Sequence, residues 1–411
     1  MAETWQISTT VPSDHFKTFL RRAKEKVIYP RRLTTLSGSP PFTGGTQLSK
    51  QTAMRLRQLV FGASLAPPRQ EWLKGGFTFQ PPEGRVGFGL QTPQSLTQPL
   101  VMAVQTRVIK HLLFQRFPSA TDIDSLFRLR RCDQLQGLAS ALSDVIWGAR
   151  AGGPAHVCLC SEAQQVWGDT DYLSDGVTER VQHWTFGSKD ELQSFISSYI
   201  KEFESTEGHA YILLLYSLVL TRGINRVSDD LGETQPSLLT SGGLVSHSLT
   251  SLVLTGQASP HLHNGIVWRQ LEAGAKVALH GVPERSDVGF LLWEEAAADL
   301  LRTEVGSRLK TPLLPIWLTC CHAQYGVIFH LNRELTRDYR AEHRFDLHYY
   351  TGDEAHLERP TLIAVDTKSR PLPGPRREEG EEEEQLPPLN ELILSKWPEA
   401  SIDWRGTEPY L

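Results

Sequence analysis

The groups in this sequence best suited to chemistry near neutral pH are five cysteines, Cys132, Cys158, Cys160, Cys320 and Cys321, and a scatter of histidines. A thiol becomes a nucleophile when a base or a helix N-terminus stabilises its thiolate, and a metal ligand when several thiols or imidazoles converge. Neither arrangement is well formed. Cys158 and Cys160 stand in His156-Val157-Cys158-Leu159-Cys160, a lone C-x-C pair in an apolar stretch, which reads as a buried strand using cysteine as a small apolar residue. In Cys320-Cys321-His322, neighbours on a strand point to opposite faces, so at most two of the three converge, and no fourth ligand stands nearby. His261-Leu262-His263, just before Asn264-Gly265, reads as a surface turn. Ser246-His247-Ser248 lies in a helical block where the imidazole is expected to partner a buried polar group rather than act as a base.

Positioning elements follow from periodicity. Residues 100–114 are mostly apolar, with Lys110 and His111 on the polar side, and read as a central buried helix. Pro99 suits the first helical position, where its missing N–H costs nothing, and Gln98 would then stand at the cap. Further helices are expected at 53–61, 134–145, 189–203 and 210–220, the last apolar almost throughout. Strands are expected at 155–160, 315–318, 326–331, 345–350 and 360–365. Helices early and strands late predict an α+β architecture.

At 411 residues the chain can bury a large core, and its net charge of −5 gives no basic footprint for nucleic acid. No apolar run is long enough to span a bilayer, and the N-terminus has neither a basic start nor an apolar core for export. Few and odd-numbered cysteines point to free thiols in a reducing, intracellular compartment, cytoplasmic or nuclear. Residues 1–60 read as an amphipathic helix from Ser13 followed by a Pro/Gly linker, and residues 61–411 as the main domain. Within 368–386, the glutamate run from Glu378 to Glu384 repels itself and cannot bury a core, so this stretch is expected to be a disordered surface loop. No cofactor or metal is called for.

Two segments carry a more specific signal. The first is Phe88-Gly89-Leu90-Gln91-Thr92-Pro93-Gln94-Ser95-Leu96-Thr97-Gln98-Pro99, running on to Ala103-Val104-Gln105 and Leu112-Leu113-Phe114. The second is Leu309-Lys310-Thr311-Pro312, Pro315-Ile316-Trp317, then Ala323-Gln324-Tyr325-Gly326-Val327-Ile328-Phe329. Together with Thr221-Arg222-Gly223, Leu249 to Ala258, Arg285 to Leu291 and Ser401 to Leu411, they resemble, in order, the blocks of the MINDY deubiquitinases. The likeness is to the fourth-branch catalytic domain, and within it to its inactive B-type form.

That resemblance implies a papain-like α+β cysteine-peptidase fold acting on degradation-type polyubiquitin chains. It also implies that the reagents are missing. Aligned on Ala103-Val104-Gln105, Gln98 fills the nucleophile slot, Ser95-Leu96-Thr97 replace a Gly-Gly-Pro, and Thr92, or Gln91 after a one-residue slip, takes the oxyanion slot. Gln324 fills the general-base slot. An amide is neither nucleophile nor base, so the expectation is a catalytically inactive homologue that binds ubiquitin or acts as a scaffold. The alternative is an active deubiquitinase with relocated groups, drawing on Ser95, Thr97 and His322, the last expected about 7 Å along an extended strand from Gln324.

Overall fold

The computed structural model describes residues 44–92, 96–118, 122–167, 172–232, 235–270, 276–294, 304–353, 360–368 and 386–407. The expected N-terminal helix from Ser13 and nearly all of the acidic stretch 368–386 lie outside them.

The helices used below are α1 (Lys50–Phe61), α2 (Gln98–His111), α3 (Arg131–Gly148), α4 (Lys189–Ser198), α5 (Ala210–Arg222), α6 (Ile224–Leu231), α7 (His247–Thr255) and α8 (Pro388–Leu394). Eleven strands are described: β1 (Thr46–Gln47), β2 (Ala155–Cys160), β3 (Val181–Phe186), β4 (Ile266–Gln270), β5 (Lys276–His280), β6 (Gly289–Trp293), β7 (Ile316–Cys321), β8 (Gln324–Phe329), β9 (Arg344–Tyr350), β10 (Thr361–Asp366) and β11 (Ser401–Asp403). Helix and sheet are mixed with the larger sheet late in the chain, an α+β arrangement. Helix α1 joins the body, burying Ala53, Leu56, Leu59 and Val60, and the compact unit begins at Gly44.

The main sheet has the order β11-β10-β9-β8-β7-β6, antiparallel throughout except for the parallel β6–β7 pair. Both faces are covered, which is why β7 is buried at every residue. Alternate side chains go to opposite sides. Leu318, Cys320, Val327, Phe329 and Tyr350 join the large core, against which α2 packs. Trp317, Cys321, Ile328, Leu347, Tyr349 and Ile363 join a second core closed by Leu389, Leu392, Ile393 and Trp397. Burying each such side chain is worth roughly 1.5–3 kcal/mol. A second sheet, β1-β3-β2, packs on α5, and β4–β5 form a two-stranded ribbon.

Several sequence expectations are corrected here. Gln98 is the first residue of α2, not its cap; Thr97 caps it and Pro99 is second, a position that also needs no N–H partner. The α-helix ends at His111, and Leu112–Arg116 continue as a π-helical turn in which the Phe117 N–H donates to the Leu112 carbonyl at 2.9 Å. His261 and His263 are buried and stacked with ring centroids 5.5 Å apart, not exposed on a turn. Ser246 caps α7 by accepting from the Leu249 N–H, and His247 opens the helix.

Candidate functional site

The start of α2 is fixed by what surrounds it. Gln105, one face of the helix inward, accepts from the Leu90 N–H at 2.7 Å and donates to the Phe88 carbonyl at 2.9 Å, both inside the core. The same short segment is gripped from the sheet, since the Tyr350 hydroxyl donates to the Leu90 carbonyl at 2.9 Å. Glycine is required at position 89 because a Cβ there would lie 2.2 Å from the Tyr350 ring. Phe88 completes the contact edge-on to Phe329 at 5.8 Å. Sequence reasoning used Ala103-Val104-Gln105 only to set the register; the structural signal was a glutamine standing in an otherwise apolar helix, since a buried amide needs backbone partners.

From this anchored start, the Gln98 side chain reaches the main sheet. Strand β9 ends at Tyr350, opposite Val327, so the ladder stops short of Tyr325. There the Gln98 Oε1 accepts the Tyr325 N–H at 3.4 Å. Tyr325 follows Gln324, so the first residue of α2 meets the first turn of β8. Gln324 itself is exposed and pairs with Cys321 in the last rung of the β7–β8 hairpin.

The hairpin turn is His322-Ala323, with φ of 48° and 62°. Two consecutive left-handed residues make the tight turn whose twist suits a hairpin. His322 therefore belongs to an exposed turn, and the expectation of an extended strand through it is overturned: neither residue is the Gly, Asn or Asp that usually marks such a turn.

The other site residues fall as follows. Thr97 is fully buried, and its hydroxyl hydrogen-bonds Tyr211, whose own hydroxyl donates to the Gly76 carbonyl at 3.0 Å; it faces the core. Gln91 is tied down at both ends, its N–H donating to the Thr78 carbonyl at 2.8 Å and its side-chain amide to the Phe79 carbonyl at 3.0 Å. Thr92 packs on Gly352, where a Cβ would come within 2.8 Å of its Oγ1. Ser95 lies outside the described residues. Across the hairpin from Tyr325 stands Cys320, 2 % exposed, and burial pushes its thiol up to about 12 while the Tyr325 hydroxyl hydrogen-bonds it. Tyr325 in turn is raised well above the usual phenol range by the same burial. Cys321, on the other face of the sheet, is pushed up to about 11 by burial. Among the described residues, the Glu294 carboxylate is a charged group that acts on both Cys320 and Tyr325.

Residues 57–406 match the family described as "Deubiquitinating enzyme MINDY-3/4, conserved domain". The chain belongs to the MINDY-3/4 family. Among MINDY-4 proteins, it is 30% identical over 382 residues to "Probable ubiquitin carboxyl-terminal hydrolase MINDY-4" of Xenopus tropicalis, covering 92% of this chain and 48% of that protein. The Homo sapiens protein of the same description is 30% identical over 370 residues, covering 90% of this chain and 47% of that protein. "Ubiquitin carboxyl-terminal hydrolase MINDY-3" of Homo sapiens is 27% identical over 305 residues, 67% of this chain and 64% of that protein. The chain spans about half the length of the MINDY-4 relatives. No solved structure matches. Among the described residues no helix is long and apolar enough to cross a membrane.

Proposed function

We propose that this protein is a non-cleaving member of the MINDY-3/4 family: a papain-like scaffold that retains ubiquitin recognition, or a scaffolding role derived from it, without hydrolysing the degradation-type chains that the family resemblance implies. The observation that carries the reading is the Gln98–Tyr325 contact. It supports Gln98 as the residue of the nucleophile slot and Gln324 as that of the base slot, because both lie where the start of a buried helix meets a sheet strand. Such a helix start would favour a thiolate, and an amide stands there instead. Loss of a nucleophile costs on the order of a millionfold in hydrolase rate.

The relocated-group alternative draws little support. Thr97 is turned into the core, and His322 sits on an exposed turn. Cys320, the thiol across from Tyr325, is buried and held protonated.

The test pairs two measurements on the full chain. Ubiquitin carrying a C-terminal cysteine-reactive electrophile should leave the protein unmodified, while titration with defined polyubiquitin chains should give saturable binding. Covalent labelling that disappears on changing one cysteine would overturn the inactivity. Absence of binding to any chain type would overturn retained recognition and leave only the scaffolding reading.

A further inference from the structure

A concave site lies away from the α2–β8 contact, and none of its lining residues belongs to either element. It is a cavity of about 700 Å³ between α1, the turn before β2, the end of α5 and the start of α6. That volume is in the range of small-molecule pockets. Its lining includes Arg55, Arg222 and Arg226, and no Asp or Glu among the described residues. In a chain carrying more acidic than basic side chains, such one-signed lining is a local concentration of positive charge.

The arginines are not equivalent. Arg222 is neutralised from behind by a two-pronged bridge to Asp230 at 2.8 and 2.9 Å. Arg55 has no carboxylate partner among the described residues; it donates to the Asn225 side-chain oxygen at 2.8 Å, which holds its guanidinium beside the start of α6. Arg226 likewise has no described carboxylate partner and donates to the Ala151 carbonyl. Each keeps further N–H donors free, because a guanidinium carries five. One contact ties the Arg55 guanidinium to the start of α6, and the other ties the Arg226 guanidinium to the turn before β2.

The backbone on the rim is bare. Gly152, Gly153 and Gly223 have nothing within 4 Å of where a Cβ would stand, so a ligand can approach their peptide groups directly. Helix α6 begins behind Gly223 with no acidic residue in its first turn, leaving its early amides open to an anion. Leu220, Ile224 and Pro154 add an apolar wall. Two guanidinium forks suit a tetrahedral oxyanion, whose several oxygens can accept from more than one direction at once.

We propose that this cavity binds a phosphate-bearing small molecule, its phosphate held between Arg55 and Arg226 and its body against the apolar wall. The proposal does not rest on ubiquitin recognition, and its test has no readout in common with that reading. Isothermal titration of the full chain with inorganic pyrophosphate, at constant ionic strength, should show saturable single-site binding at millimolar concentrations or below. The double variant Arg55→Ala/Arg226→Ala should weaken it at least about tenfold, since the charge-assisted hydrogen bonds of both arginines are lost. Both side chains are exposed, so the fold should be kept, which a thermal melt checks. The control Arg128→Ala/Arg337→Ala removes the same charge from exposed positions that do not line the cavity and should leave binding unchanged. Non-saturable binding, or equal weakening in both double variants, would overturn the proposal.

Discussion

Cys320 and Tyr325 face each other across the β7–β8 hairpin, thiol against hydroxyl, and both are held neutral by burial. The pairing places a sulfur directly behind the Gln98 contact yet removes it from chemistry.

Thiol reactivity tests this. With a thiolate fraction on the order of one in ten thousand at pH 8 when the pKa is near 12, a buried thiol alkylates negligibly. Native protein treated with iodoacetamide at that pH should therefore gain label at Cys132, the exposed cysteine, while Cys158, Cys160 and Cys320, each pushed up to about 12 mainly by burial, stay unmodified. Peptide mass mapping reads the result; early labelling of Cys320 would contradict the packing described here.

The proposed degenerate site can be challenged by rebuilding it. Gln98→Cys with Gln324→His would place a thiol at the start of α2 and an imidazole beside Tyr325. Little or no polyubiquitin cleavage is expected from the pair alone, since the imidazole would start from an exposed hairpin end and a misplacement of about 1 Å can cost a hundredfold. Adding Gly-Gly-Pro at 95–97 is expected to be needed, although replacing Thr97 also removes its Tyr211 partner. Robust cleavage by the double variant would show that the intervening loop is no obstacle.

Gly89→Ala should destabilise the protein by about 1–3 kcal/mol, the usual cost of overpacking, because its new methyl would meet the Tyr350 ring. Chemical denaturation of Gly89→Ala, Tyr350→Ala and the combined variant forms a cycle. The double variant should be more stable than the sum of the single losses, and strict additivity would deny the contact.

Acid stability depends on the charges behind α2. Lys110 bridges Asp144 at 2.6 Å and Asp287 at 2.7 Å, and Lys189 adds a second bridge to Asp144 at 2.5 Å. Burial pushes the Asp144 carboxyl up, but the two lysines outweigh it and leave the group below its ordinary value; Asp287 behaves likewise beside Lys110 and Arg107. A carboxylate depressed in the folded state stabilises above its unfolded pKa, near 4, and that contribution fades as pH falls through the folded value. Unfolding free energy should thus be flat in this respect above about pH 5 and decline below about pH 4. Lys110→Met should cost about 3 kcal/mol at neutral pH by stripping a buried pair, and should make the acid decline smaller, because the folded carboxyls then lie nearer their unfolded value.

The elements most legible in the sequence were those whose pattern is local. The apolar run after Ala210 became α5, and the alternating stretches near 155, 345 and 360 became β2, β9 and β10, because burial of a continuous or alternating face dictates the period. What stayed hidden depended on partners distant in the chain. Strand β6 is too short and Gly-led to announce itself and exists by pairing with β7. The His322-Ala323 turn lacks turn residues and is imposed by the two strands it joins. His261 and His263 looked like surface residues because the segments that bury them come later. At the candidate site, ordered motifs singled out Gln98 and Gln324, but Tyr325, which meets the Gln98 side chain, could be found only in three dimensions.

The double grip of Gln105 on Phe88 and Leu90 carries one further consequence. With the strand-like segment fastened to the helix at one end, and the helix seated in the core at the other, the connection between them has its endpoints set by residues outside it. Gln91, Thr92 and Thr97 within it add their own contacts to Phe79, Gly352 and Tyr211. On the proposed reading, exchanging the side chain at Gln98 leaves these anchors in place, so chemistry and architecture are set by different residues here.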